Sequence, residues 1–145
     1  MPVYGLAEAT LLVSGNPLGT RPVIIPFTQE GLSRGVAIRC TTSTDDPQQA
    51  HEMISCGKSA SGEMFPIKIV DPVTHCEVET GKIGEIWVSG PTVASGYWNK
   101  PEISESTFRT MIKGQGEGTT MKFLRTGDLG FILEGNLFIA GREKD

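Results

Sequence analysis

Short apolar runs, separated by glycine, proline and polar residues, follow one another through much of the chain. The runs at 65–70 and 83–88 are rich in β-branched and aromatic residues and are bounded by turn-forming residues, a pattern that predicts strands. Two further runs, at 131–133 and 137–139, flank the sequence Glu134-Gly135-Asn136. Apolar runs on both sides of such a turn predict a β-hairpin.

One segment has the periodicity of a helix. Pro101 suits a first helical turn, and four apolar residues approximate a single face, namely Ile103, Phe108, Met111 and Ile112. We therefore predict one helix over 101–112.

Residues 15–61 have much weaker periodicity and many glycines and prolines. The short apolar pieces at 23–25 and 36–38 can form strands, and Asp46-Pro47 can start one or two helical turns. We expect a loop-like insertion of modest structure here. The predicted fold class is mainly β (α+β), a distorted β-barrel with one helix and an irregular insertion.

Composition narrows the class of protein. The chain has 145 residues, 38% of them hydrophobic, and a formal net charge of −4, which suits a packed core and not a disordered tail. No apolar run approaches the roughly 18 residues of a membrane-spanning helix, and the acidic balance disfavours nucleic acid as a partner. Three widely spaced cysteines indicate reduced thiols. We expect a soluble cytoplasmic protein.

The residues at the two ends of the sequence bear on whether the chain is a whole domain. The chain starts directly on an apolar-aromatic stretch and stops on the charged turn 141–145. Since the termini of whole domains are usually polar and loosely tied, we expect a piece of a larger protein.

Three stretches combine a turn glycine with an ionisable residue. In 4–8, a glycine beside Tyr4 lets backbone approach a flat ligand, and the Glu8 carboxylate can ligate a hard cation such as Mg²⁺. In 123–130, a strand that ends in a tight turn presents Asp128, which can accept hydrogen bonds from ribose hydroxyls. In 141–145, the Arg142 guanidinium can donate to ribose or phosphate oxygen. Taken singly, each stretch also has a purely structural explanation. Tyr4 can be a packing aromatic, Asp128 can accept hydrogen bonds from the backbone of its own turn, and 141–145 can be a solvated linker.

Four motifs follow one another along the chain, at Tyr4–Thr10, Gly84–Glu102, Phe123–Gly130 and Gly141–Asp145. Together and in this order they resemble the adenylate-forming superfamily, which includes acyl-CoA synthetases, luciferases, nonribosomal adenylation domains and fatty acyl-AMP ligases. Ala7, where most acyl-CoA synthetases have threonine, and the long passage 15–53 are similar to the fatty acyl-AMP ligase branch. In that branch the insertion hinders the rearrangement that admits coenzyme A.

The resemblance implies that the chain consists of four structural segments. Residues 1–14 would end a preceding subdomain, 15–61 would be the insertion, 62–140 would be a β-barrel subdomain of the large N-terminal domain, and 141–145 would lead to a C-terminal domain.

The resemblance also implies a nucleotide site. Tyr4 would lie against the adenine, and nucleotide contacts would come from Gly5, Leu6, Ala7, Asp128 and Arg142. Asp128 would accept from the ribose hydroxyls and Arg142 would reach the ribose or a phosphate. Glu8 would face Mg²⁺, and Asp145 would be the hinge residue. Tyr97 and Trp98 would pack in the core.

The implied function is part of a fatty acyl-AMP ligase, with ATP and Mg²⁺ as cofactors. Such an enzyme couples a fatty acid to ATP and hands the acyl group to the phosphopantetheine thiol of an acyl carrier protein, in a polyketide or nonribosomal peptide system. An acyl-CoA synthetase with an unusual loop and a non-catalytic module of the same fold are the alternatives. The family's phosphate loop and C-terminal lysine do not occur in this sequence, so its catalytic set is incomplete and we expect the chain alone to form no adenylate.

Overall fold

The computed structural model describes residues 1–40, 49–59, 66–115 and 120–143. In chain order the elements are β1 (Val3–Leu6), a 3-10 helix (Ala7–Ala9), β2 (Leu11–Gly15), β3 (Ile24–Thr28), α1 (Gln29–Ser33), β4 (Ala50–Ile54), β5 (Lys58–Ser59), β6 (Ile67–Val70), β7 (Gly84–Val88), α2 (Pro101–Phe108), β8 (Leu124–Leu133) and β9 (Asn136–Arg142). Strands outweigh helices, which confirms the mainly β class. The expected helical turn at Asp46-Pro47 and the expected hinge residue Asp145 lie outside the described residues.

The largest sheet contains β6, β7, β8 and β9 in that order, with antiparallel neighbours. Every residue of β7 is buried, because side chains pack on both of its faces. Ile86 and Val88 belong to one apolar cluster and Trp87 to another. A strand covered on both faces needs a near-continuous apolar sequence, which is what the run at 83–88 provides.

The predicted hairpin is confirmed between β8 and β9. Its two-residue loop consists of Glu134 and Gly135, whose φ angles are +51° and +78°. Two left-handed residues in succession match the twist of the flanking strands. β9 continues through Gly141 and Arg142, so the sequence that was expected to lead into a hinge begins as a paired strand.

A smaller sheet joins β1, β2 and β5. The β1–β2 pairing shifts register between Tyr4 and Gly5, where the two backbones come so close that a Cβ at Gly5 would overlap the carbonyl oxygen of Leu11. Buried side chains of this sheet, Tyr4 and Val13, share an apolar cluster with residues of β7. The two sheets are therefore held together by one core.

The insertion is more regular than the sequence indicated. β3 and β4 form an antiparallel pair, and Thr28 caps α1 by accepting a hydrogen bond from the Gly31 amide over 3.1 Å. The apolar piece at 23–25 enters β3 as predicted, whereas 36–38 contributes only an isolated bridge at Val36. Phe27 is fully buried in a cluster that includes two phenylalanines of the β8–β9 hairpin. The β3–β4 pair is thus packed onto the main sheet.

The helix α2 exists but is shorter than predicted. It ends at Phe108, because the φ angle of Arg109 is −131°. The predicted apolar face was wrong in part, since the exposed fraction is 50% for Ile103 and 45% for Met111. Ser104 turns inward instead, and its Oγ accepts a hydrogen bond from the Tyr97 amide over 2.8 Å.

The three sheets stay separate within the described residues, so the distorted barrel is open. No helix in the described ranges combines the length and the apolar character needed to cross a bilayer.

Candidate functional site

Asp128 lies in a bulge inside β8, and the predicted turn at a strand end was wrong. The ladder between β7 and β8 loses its regular register at this point, so Ile86 faces three residues, 126–128, between the flanking pairs Glu85–Leu129 and Trp87–Arg125. Extra residues on one strand bend it and redirect a side chain. The bulge is therefore the local cause of the position of Asp128.

Side chains replace the ladder bonds that the bulge removes. Thr126 Oγ1 donates to the Ile86 carbonyl over 2.6 Å and accepts from the Asp128 amide over 3.1 Å. The Gly127 amide donates to Glu85 Oε2 over 3.0 Å. Gly127 has a φ of +74°, a conformation that glycine adopts without steric cost.

The bulge places the Asp128 carboxylate between Tyr4 and Arg142. The Tyr4 hydroxyl donates to Oδ2 over 2.6 Å, and Arg142 Nε donates to Oδ1 over 3.0 Å. Tyr4 and Asp128 are each 8% exposed, whereas the Arg142 side chain is 70% exposed. Three residues that the sequence assigned to one site are thus brought into direct contact.

The environment of Tyr4 keeps its hydroxyl a donor. Burial raises the pKa of Tyr4 far above its ordinary value, and the hydrogen bond to Asp128 raises it further. Both effects disfavour the phenolate, the first because water is excluded and the second because a negative carboxylate lies next to the oxygen.

The remaining residues of the first motif, Gly5, Leu6 and Ala7, lie in different environments. Gly5 is needed for the approach of β2, which is a packing reason independent of any ligand. Leu6 packs partly buried against the main core, and Ala7 is exposed at the start of the 3-10 helix. Their predicted contacts with a nucleotide stay predictions.

Glu8 is held by Tyr97. The Tyr97 hydroxyl donates to Glu8 Oε1 over 2.9 Å, and its ring packs edge-on against Phe108 with centroids 5.0 Å apart. Partial burial raises the pKa of Tyr97, and the contact with Glu8 adds to this. The expected core packing is wrong for Trp98, which is 93% exposed, and holds only in part for Tyr97, which is 39% exposed.

A cavity of about 550 Å³ lies beside the bulge. Its wall brings together the bulge, the end of β9, one side of α2 and the aromatic residue that holds Glu8; it is lined by Glu85, Tyr97, Ile103, Ser106, Thr107, Arg125, Thr126, Gly127, Arg142 and Glu143. The partners of both candidate carboxylates, Arg142 for Asp128 and Tyr97 for Glu8, therefore face one space.

Sequence reasoning missed a buried polar network behind the bulge. Glu85 is 1% exposed, and its Oε1 accepts hydrogen bonds from Trp87 Nε1 over 2.9 Å and from Arg125 Nε over 3.0 Å. Arg125 Nη2 forms an ion pair with the same oxygen at 2.9 Å. The Arg125 guanidinium also lies 5.5 Å from the centroid of the Trp87 ring. The signal in the sequence was a glutamate inside an apolar strand run, because a charge at such a position requires partners.

Known proteins resemble this chain over nearly its whole length. The family model described as "AMP-binding enzyme" matches residues 1–98. The chain is 46% identical over 145 residues to "Putative fatty-acid--CoA ligase FadD21" of Mycobacterium tuberculosis, with 99% of the chain and 24% of the relative covered. It is 40% identical over 144 residues to "Medium-chain-fatty-acid--[acyl-carrier-protein] ligase JamA" of Moorena producens, with 99% and 23% covered.

Among solved structures, the fatty acyl-adenylate ligase of Legionella pneumophila in complex with acyl adenylate and pyrophosphate matches with a TM-score of 0.81 and 36% identity, covering 99% of this chain and 23% of that one. The chain spans about a quarter of the length of the curated relatives it matches.

Proposed function

Because the chain belongs to the AMP-binding enzyme family, we propose that the whole protein activates a fatty acid with ATP, forming an acyl-adenylate and releasing pyrophosphate. The observation that carries the proposal is the cluster of Tyr4, Asp128 and Arg142, in which two hydrogen bonds join three separate motifs. The names of JamA and of the Legionella protein support a fatty acid as the substrate and an adenylate as the product.

This chain supplies part of the nucleotide site. Each Asp128 oxygen accepts from one protein donor, which fixes the plane of the carboxylate and leaves a second acceptor position on each oxygen for the vicinal ribose hydroxyls. Arg142 donates to the ribose or a phosphate, and the segment from Tyr4 to Ala7 borders the adenine. These groups position the nucleotide for attack by the carboxylate substrate, and none of them has to move a proton.

Glu8 is the residue that would hold Mg²⁺. One oxygen is oriented by Tyr97, and the second makes no hydrogen bond within the described part of the chain. No group of three or more candidate metal-ligating side chains occurs among the described residues. A single carboxylate suits Mg²⁺, since this ion is commonly held by one or two carboxylates together with substrate phosphates and water. When bound, the ion would neutralise charge that develops on the phosphate oxygens.

For the second half-reaction we propose transfer to the phosphopantetheine thiol of an acyl carrier protein. The name of JamA supports this acceptor. The packing of the insertion supports it as well. Phe27 anchors β3 to the β8–β9 hairpin, and an insertion can restrict a domain rearrangement only if it is anchored in this way.

Coenzyme A is the second candidate acceptor. The name of FadD21, the more similar of the two relatives described above, favours it. The two acceptors differ only in what carries the thiol, so the adenylation half-reaction is the same for both.

The test uses the full-length protein with a labelled long-chain fatty acid, ATP and Mg²⁺, with either coenzyme A or a pantetheinylated carrier protein. We expect acyl-AMP to accumulate alone, to be unaffected by coenzyme A and to load the carrier. Ready formation of acyl-CoA would assign the protein to the coenzyme A ligases instead. Absence of any adenylate would favour a non-catalytic module of the same fold.

Asp128→Ala provides the matched site variant. It removes the proposed ribose acceptor, so we expect ATP binding to weaken by about tenfold or more, as when a hydrogen bond to a charged group is lost. Isothermal titration calorimetry on the full-length protein measures this change, and unchanged binding would contradict the site assignment.

A further inference from the structure

The Glu85 carboxylate connects the buried network to the bulge that carries Asp128. Its Oε1 accepts from Trp87 and Arg125, and its Oε2 accepts from the Gly127 amide, 42 positions further along the chain. Each oxygen therefore has a distinct role: one anchors the carboxylate in the core, and the other holds the backbone of the bulge.

The Gly127 amide depends on this acceptor. Ile86 has one carbonyl for three residues of β8, and the Thr126 hydroxyl already donates to it. Glu85 Oε2 is thus the partner that the structure provides for the Gly127 N–H. Gly127 is half-buried, and loss of its acceptor removes the contact that fixes the orientation of this amide, so the bulge would rearrange if this contact were lost.

We propose that Glu85 is a positioning residue for the nucleotide: by holding Gly127 it sets the direction in which Asp128 presents its carboxylate to the ribose. The inference rests on the proposed function, since it concerns the same site. Glu85 is 1% exposed and its Oε2 faces the Gly127 amide, so Glu85 acts through the backbone of the bulge.

Glu85→Gln tests this with almost no change in shape. The amide of glutamine has one oxygen and one NH₂ group. If the oxygen faces Trp87 and Arg125, the NH₂ group meets the Gly127 N–H; if it faces Gly127, the NH₂ group meets the other two donors. Either orientation sets donor against donor, so the anchoring and holding roles cannot both be kept.

Trp87→Phe is the matched control. It removes the indole N–H that donates to Glu85 Oε1 and leaves Oε2 and the Gly127 amide in place. It therefore disturbs the same carboxylate and the same core without releasing the bulge. Glu85→Asp is a second test variant, because it keeps the charge beside Arg125 and shortens the reach to Gly127 by one methylene.

The measurement is the preference of the full-length protein for ATP over 2′,3′-dideoxy-ATP, by isothermal titration calorimetry. In the wild type, we expect ATP to bind about tenfold or more tightly, because a site built to bind hydroxyl groups rejects an analogue that lacks them. In Asp128→Ala, Glu85→Gln and Glu85→Asp we expect the preference to fall to about twofold or less, whereas Trp87→Phe should keep it even with a lowered Tm. General destabilisation would weaken both ligands equally and leave their ratio unchanged.

A folded Glu85→Gln or Glu85→Asp protein that retains the wild-type preference would overturn the inference and leave the proposed function intact, provided that Asp128→Ala loses the preference. A wild-type protein that binds neither nucleotide would overturn the proposed function, and the inference with it.

Discussion

At the scale of single residues, two tyrosine hydroxyls hold the two carboxylates of the candidate site. Tyr4 donates to Asp128 and Tyr97 donates to Glu8, and each hydroxyl can be removed while the ring is kept. Removing the two hydroxyls one at a time therefore tests the proposed ribose contact at Asp128 separately from the proposed Mg²⁺ contact at Glu8.

For Tyr4→Phe we expect the affinity of the full-length protein for AMP to fall by about fivefold to tenfold, because Asp128 loses a charge-assisted donor. Tyr97→Phe should leave AMP affinity within about twofold, since Tyr97 orients the carboxylate that would hold Mg²⁺ and the measurement contains no Mg²⁺. Calorimetry with AMP in the absence of Mg²⁺ measures both. Equal losses in the two variants would contradict the separation of the two halves.

The raised pKa of Tyr4 gives an expectation for alkaline pH. In the unfolded chain a tyrosine ionises near pH 10, whereas burial and Asp128 hold the pKa of Tyr4 well above that value in the folded protein. Its contribution to stability is fully present below pH 10 and is lost as the pH rises above it, because only the unfolded state then gains from ionisation.

Nucleotide affinity should accordingly show no loss that depends on Tyr4 between pH 7 and about 10.5, beyond the pKa of an ordinary tyrosine. The measurement is the difference between the affinity–pH profiles of wild type and Tyr4→Phe. A wild-type loss with a midpoint near pH 10 that disappears in Tyr4→Phe would show that the hydroxyl titrates normally.

At the scale of elements, the close approach of β1 and β2 fixes the segment from Tyr4 to Glu8. Gly5→Ala would push a methyl group into the Leu11 carbonyl, so we expect a loss of roughly 1–3 kcal/mol from strain. In the full-length protein this should appear as a Tm lowered by several degrees together with weaker ATP binding.

Gly141→Ala is the control for that variant. Gly141 lies in β9 without a positive φ, and no atom of the described residues lies near its Cβ position, so the same added methyl group should change neither the Tm nor ATP binding. A Gly5→Ala protein with wild-type Tm would show that β1 and β2 can separate without consequence.

The elements also show which features a sequence can predict. The hairpin turn at Glu134-Gly135 depends on local backbone conformation, so it was predicted correctly. The bulge around Gly127 depends on the register between β7 and β8, which are about forty positions apart in the chain, and a local reading took it for a turn. The helix end at Phe108 was also missed, because Arg109 adopts a non-helical φ of −131° that the apolar periodicity of 101–112 does not indicate.

At the scale of the whole molecule, the candidate site depends on contacts between distant segments. The family resemblance predicted the residues Tyr4, Asp128 and Arg142, and the structure shows them in contact. It could not predict Glu85 as their support, because a buried charge is recognised by its partners, and those partners come from other strands. Motifs therefore predicted the groups proposed to contact the ligand, whereas the residues that orient them became visible only in the structure.

A prediction for the whole molecule is that the 145-residue chain forms no acyl-adenylate by itself. The candidate groups described here position a nucleotide, and the phosphate loop and lysine expected for the family are not among them. Incubation of the purified chain with a labelled fatty acid, ATP and Mg²⁺ should yield no acyl-AMP, with the full-length protein as the positive control. Any acyl-AMP above background would contradict this expectation.

The last prediction concerns how the insertion affects the choice of acceptor. Phe27 packs edge-on against Phe131 and Phe138 with centroids 5.1 and 5.5 Å apart, and all three are completely buried. Phe27→Ala leaves a cavity and should destabilise this contact by about 3–5 kcal/mol, which releases β3 and β4 from the hairpin. If the anchored insertion prevents the rearrangement that admits coenzyme A, release should increase acyl-CoA formation while acyl-AMP formation continues.

Two measurements make that outcome decisive. Limited proteolysis should show faster cleavage within 15–61 in Phe27→Ala, and little change in Phe27→Leu, which keeps most of the side-chain volume. Product analysis with coenzyme A then compares the same proteins. A Phe27→Ala protein whose insertion is cleaved faster and which still makes no acyl-CoA would show that the insertion does not control the acceptor, because the anchor would be lost without any change in the reaction.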